Sequence, residues 1–282
     1  MTATITAFQS FAQLIEAVQS PCALPDASRS SIVGTWEFTG TDSLAEAIDL
    51  ARKGWRDGTA TIERLRLQID KMLAGQIPVT AVEYDVSGDW LDIGRFLSGE
   101  PEYFGSLVDH GLRTDAPVAK SVRIVVNVAV SQSIGEATML MRGAATIVLV
   151  DTLERHGIRC RIDLAHAVSN RIVKGDSLET YCTIKNEGDG VSPDKLAFLF
   201  GHRASLRRLI FSVNEHAEPA IRKQFGIGRD CGGYGIPCAT EERGDVYIDR
   251  IISASEWSEA LTIQWLQRTL TAQGLTLSEK GI

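Results

Sequence analysis

No apolar run in these 282 residues approaches the roughly 20 that a membrane-spanning helix needs. Met1 to Val18 also lacks the basic start and apolar core of a signal peptide, so the expectation is a cytoplasmic protein with no membrane partner. Cysteine is scarce. Cys22, Cys160 and Cys182 lie among apolar neighbours, where a free thiol behaves as a small hydrophobe. Cys231 and Cys238 are separated by six residues, which suits neither a zinc knuckle nor a redox pair. A disulfide between them would require an oxidising compartment, and the odd total of five leaves at least one free thiol. There is no repeat at solenoid periods, no low-complexity tract and no long linker, which points to one domain over residues 1–282.

Catalytic signatures are missing as well. The chain has no Gly-x-Ser-x-Gly elbow and no phosphate loop of the Walker type. Its histidines, at 110, 156, 166, 202 and 216, show no metal-ligand spacing. His156 precedes Gly157 at a helix end, where a cation complements the helix dipole, and reads as structural. These absences favour a protein that is not an enzyme and needs no cofactor.

What is present describes a globular α/β protein. Hydrophobic residues make up 44% and charged residues 23% of the chain, enough for a sizeable core. Ala7 to Val18 has the apolar spacing of a short helix. Thr41 to Ser43 offer N-cap oxygens, Ser43 and Glu46 have capping-box spacing, and Gly54 supplies a stop. That predicts a helix between them, with Leu44, Ala47, Ile48 and Ala51 on its apolar face and Trp55 folded back onto it. A second helix is expected over Thr59 to Leu73, a strand over Val79 to Val86 and a short helix over Leu91 to Leu97.

The middle of the chain is the clearest part. Ser121 to Ser131 reads as a buried strand, Thr138 to His156 as a helix, and Ile158 to Val168 as the next strand. This order is a βαβ crossover, and Leu178 to Lys185 adds a third strand. Asp194 to Phe225 is expected to be helical with breaks near His202 and Pro219, followed by an irregular glycine-rich segment, Gly226 to Gly244. Asp245 to Ile252 and Glu256 to Ala272 close the chain as a strand and a helix.

Two constellations can carry binding chemistry. Asp85, Ser87 and Asp89 follow a predicted strand at alternate positions and offer oxygen ligands suited to Mg²⁺. The spelling DVSGD resembles the first metal motif of von Willebrand A domains, although Asp89 stands where that family has a second serine. A partial echo at Asn127 to Ser131 lacks the aspartate. The fold class expected is therefore α/β, a mixed or parallel central sheet flanked by helices in Rossmann-like or von Willebrand A-like order, with a helical and glycine-rich C-terminal part.

The second constellation is basic. Against a net charge of −7, the stretch Asp194 to Arg229 holds seven basic residues and three acidic ones. Arg203 and Arg207 are four apart, which predicts one helix face, with Arg208 alongside and Arg222, Lys223 and Arg229 beyond. The glycine-rich loop that follows presents Tyr234. A basic groove with an exposed aromatic ring is the chemistry that single-stranded nucleic acid requires, whereas solvated or acid-paired arginines are the plainer alternative.

Four stretches carry a resemblance: FTGTDSLAEAIDLARKGW, YDVSGDWLDIGRFLSGEPEYF, MRGAATIVLVDTLERHGIRCRIDL and GHRASLRRLIFSVNE. In this order they resemble a family of phage and prophage proteins, and within it the single-stranded-DNA-binding cofactors of podophages that carry a large virion RNA polymerase. The resemblance implies a protein of the host cytoplasm that holds melted middle promoters and recruits the phage's second RNA polymerase. Its partners would be single-stranded DNA and that polymerase. The alternatives are a von Willebrand A-like, Mg²⁺-holding interaction module and a virion or assembly component without a ligand.

Overall fold

The computed structural model describes residues 3–73, 80–87, 90–91, 93–109, 120–170, 175–190, 192–275 and 277. Its centre is a mixed sheet whose strands run in the order Ala3–Phe8, Ser177–Lys185, Arg159–Ser169, Ser121–Asn127, Val246–Ile248. Ser121–Asn127 pairs in parallel with both of its neighbours, and the long helix Glu136–Arg155 makes the crossover between it and Arg159–Ser169. Ser177–Lys185 then turns back antiparallel to Arg159–Ser169. That reversal excludes the all-parallel order of a Rossmann-like sheet and leaves a mixed one.

Alternation along the strands decides which face meets the helices. Val122, Ile124, Val126, Ile162, Leu164 and Cys182 point into one apolar core shared with the helices. That core takes in residues of Phe11–Gln19, Leu44–Lys53, Thr59–Leu73, Glu136–Arg155, Pro193–Gly201 and Glu259–Ala272. The opposite face is polar. Buried Asp163 accepts from Arg123 and Arg161, and buried Glu179 accepts from Ser177, Tyr181 and the Glu241 amide. Burying these carboxylates is tolerable because each is surrounded by donors.

The capped helix forms as its sequence dictates. Ser43 Oγ accepts from the Glu46 amide at 3.1 Å, and Gly54 leaves the helix at φ 94°. Glu46 reaches back to the amide of Asp42 rather than that of Ser43. A side chain on Gly54 would strike Asp194, whose carbonyl accepts from the Trp55 amide at 2.9 Å. Trp55 is buried against His202, edge to face, with ring centroids 4.8 Å apart.

The N-terminus departs from expectation. Ala3–Phe8 is an edge strand parallel to Ser177–Lys185, and the helix begins only at Phe11, capped by Ser10. The local spacing that predicts a helix from Ala7 is overridden by pairing with a strand some 170 residues away in sequence. Thr80–Asp85, Phe104–Asp109 and Trp90–Leu91 form a separate antiparallel sheet, next to the short helix Ile93–Leu97. All five cysteines are free, Cys231 and Cys238 included. Among the described residues no helix is long and apolar enough to cross a membrane.

Candidate functional site

The basic stretch folds into a helix with a distortion at its centre. Residues 203–215 run continuously, but Ser205–Ile210 takes π-helical geometry before Phe211–Glu215 resumes the α-helix. Such segments are uncommon and concentrate at functional sites. The wider turn changes which side chains share a face. The strip expected from the four-residue spacing of Arg203 and Arg207 does not form on the surface.

Arg208 is fully buried and its guanidinium is saturated. It donates to the carbonyls of Ser31, Ile32, Gly34 and Thr41 at 2.6 to 2.9 Å, and to Thr41 Oγ1 at 3.3 Å. Arg207 is also buried, donating to the carbonyls of Phe38, Gln132 and Ile134 while lying 4.3 Å from the Phe38 ring centroid. Burial pulls its pKa down to about 10. Arg203 pairs with Glu136 and donates to the Glu37 carbonyl. These three arginines tie the segment 29–41 and the turn after Ser121–Asn127 to the helix, and they are not open to a phosphate.

Tyr234 is likewise not an exposed platform. Its ring is parallel to that of Phe211, with centroids 3.8 Å apart, and its hydroxyl donates to Glu215 while accepting from the Ser30 amide. Burial and the Glu215 carboxylate push its pKa far up. The glycine-rich segment is correspondingly ordered as a small hairpin, Ile227–Gly228 against Gly233–Tyr234, closed by the turn Arg229–Cys231. Arg222 is half-buried and donates to the Ala217 carbonyl, whereas Lys223 and Arg229 are exposed without a side-chain partner among the described residues. Of the seven residues singled out by sequence, these last two keep free cationic ends.

The metal candidate separates from the sheet centre. Asp85 and Ser87 are exposed beside the small antiparallel sheet, where Asp85 accepts from the Val86 amide at 2.6 Å. Asp89 lies outside the described residues. No group of three or more histidine, cysteine, aspartate or glutamate side chains among the described residues could hold a metal ion.

A cleft of about 540 Å³ does open where the sheet would predict one, beyond the carboxyl ends of Ser121–Asn127 and Arg159–Ser169. Its walls come from the turn Ala129 to Gln132, from Arg207 and Phe211 on the distorted helix, and from Arg229 and Tyr234 on the hairpin. Phe38 and His166 complete it. No aspartate or glutamate lines it. In a chain of net charge −7 the cleft therefore carries two arginines and no acid at its surface. A third cation lies behind the turn: fully buried Arg142 donates to the Asn127 carbonyl at 3.0 Å and has no carboxylate partner among the described residues. Desolvation lowers its pKa to about 9.

His166 is the residue sequence reasoning passed over. It sits on Arg159–Ser169 opposite Thr180, is 2% exposed, and its Nδ1 has no hydrogen-bond partner. Burial depresses its pKa to about 4, so the ring is neutral near pH 7. A histidine on the apolar face of a strand, in line with Ile162, Leu164 and Val168 and close to that strand's carboxyl end, was the available signal. Ser131 and Gln132 had a weaker one, as the polar turn that follows a buried strand.

A family model for a domain of unknown function, DUF7192, matches residues 2–277. The chain belongs to the DUF7192 family. No curated protein and no solved structure matches it.

Proposed function

We propose that this protein is a non-enzymatic single-stranded-DNA-binding protein, and that the cleft at the carboxyl ends of the central strands is its point of grip. The observation that carries the reading is the lining of that cleft. Aromatic rings from Phe38, Phe211 and Tyr234 meet Arg207 and Arg229, with no carboxylate among the lining residues. Bases need apolar faces and backbone phosphates need cations, and a single strand presents both at once. Exposed Arg229 at the cleft and exposed Lys223 on the neighbouring helix Pro219–Phe225 take the phosphate role. The buried arginines hold the walls in place.

Within this reading the phage-cofactor resemblance supplies the biological role. The protein holds locally melted promoter DNA in the host cytoplasm and recruits the phage RNA polymerase. A net charge of −7 over the whole chain, with no acid among the cleft's lining residues, limits non-specific coating of DNA.

A mobility-shift titration with matched single-stranded and duplex oligonucleotides, with and without EDTA, tests the proposal. Preference for the single strand that survives EDTA is the expected result. Equal affinity for duplex, or no binding at low salt, would overturn it.

A further inference from the structure

We propose that the cleft is a pocket for one unstacked nucleobase, and that His166 hydrogen-bonds the edge of that base. The inference rests on the nucleic-acid reading and adds the ligand unit and the residue that selects it. Three observations lead there. The volume, about 540 Å³, suits a ligand the size of a nucleotide rather than an ion. The aromatic walls and the acid-free lining suit a flat ring attached to an anion. His166 supplies the remaining feature, a polar group almost wholly buried at the cleft with an unused ring nitrogen.

A buried polar atom without a partner costs about 1–3 kcal/mol, and a site that keeps one recovers that cost when a ligand completes the bond. A neutral imidazole offers one donor and one acceptor, and the edges of all four bases present groups that can pair with one or the other. Depression of the His166 pKa by burial keeps the ring in this neutral form. Arg229 lies at the same cleft with its guanidinium free, placed to meet the phosphate attached to the base.

The test uses the full chain with two probes, the four deoxynucleoside 5′-monophosphates and short homopolymeric single strands. Ring ¹⁵N resonances of His166 are followed by NMR, and affinities are compared among wild type, His166→Phe and His166→Asn. The expected result is a shift of the His166 nitrogens with at least one monophosphate and with its homopolymer. His166→Phe should then weaken both by about five- to ten-fold, as loss of one buried hydrogen bond implies, with His166→Asn retaining part of the affinity. Strands that bind while the His166 nitrogens stay still would overturn the base pocket and leave the single-strand reading standing. Monophosphates that shift His166 while strands fail to bind would support the pocket and overturn the single-strand reading. Neither probe moving His166 and no strand binding would overturn both. The wild-type NMR measurement decides the matter even if a His166 variant fails to fold.

Discussion

Tyr234 lies flat against Phe211, with ring planes 2° apart, while its hydroxyl bridges Glu215 and the Ser30 amide. One residue thus closes the glycine-rich hairpin onto the helix and onto the 29–41 segment. Glu215, fully buried, also accepts from Arg29 and from both donors of Ser31. The hairpin is therefore anchored in the free protein. The exposed ring expected of Tyr234 is instead one of the contacts that hold the hairpin down.

Tyr234→Phe keeps the stack and removes the hydroxyl, leaving the Ser30 amide without its acceptor. A loss of about 1–3 kcal/mol is expected, read as a lower denaturant midpoint. Tyr234→Ala should cost more, and amides of Ile227 to Tyr234 should exchange slowly before any DNA is added. Fast exchange there in the free protein would contradict the anchoring.

Arg208 and Arg229 should behave oppositely. Arg208→Ala strands four carbonyls whose donor it supplies, which predicts a loss of more than about 4 kcal/mol and failure to accumulate as folded protein. Arg208→Lys should rescue little, because an ammonium lacks the planar fork that reaches all four. Arg229→Ala should leave the melting temperature unchanged and reduce the salt slope of single-strand binding by about 0.7 for one lost phosphate contact. Thermal melts and affinities over a salt series measure the two.

Trp55 anchors the capped helix to the chain near His202. Removing its indole leaves a large cavity in the shared core, so Trp55→Ala should cost about 3–5 kcal/mol. The same variant should bind DNA normally at temperatures where it remains folded. Lost binding with an unchanged melt would place Trp55 at the DNA instead.

His166 gives a pH dependence of definite sign. Its folded pKa of about 4 lies below the ordinary 6.5, so between these values the unfolded chain binds the extra proton. Its contribution is fully present above about pH 6.5 and is lost as pH falls towards 4, by up to about 3 kcal/mol. Denaturant unfolding of wild type and His166→Asn across this range should diverge towards acid, with wild type falling more steeply. Parallel curves would show that the ring is not buried neutral.

Local signals were legible where one stretch of chain holds its own explanation. Ser43 and Gly54 bound a helix because a hydroxyl can take an orphan amide and a glycine can leave at positive φ. The apolar run at Ser121–Asn127, the helix Glu136–Arg155 and the strand Arg159–Ser169 could be read as a crossover from their periods and lengths. The same limits explain why the N-terminal strand was missed. Ala3–Phe8 holds three consecutive β-branched residues, Thr4 to Thr6, but nothing nearby shows that Ser177–Lys185 will offer it an edge.

Charge was the part that sequence alone could not locate. The residues Arg203, Arg207 and Arg208 determine that three guanidinium groups must find acceptors, and an α-helical period would put them on an open face. The π-helical turn and the arrival of segment 29–41 turn them inward, onto carbonyls roughly 70 to 180 residues away in sequence. What sequence determined was the inventory of elements and the surplus of arginine. Which of those arginines are buried, and that His166, Phe38 and Arg229 share one cleft, only the tertiary structure decided, because hydrogen-bond acceptors and cavity walls are brought together by chain segments distant in sequence.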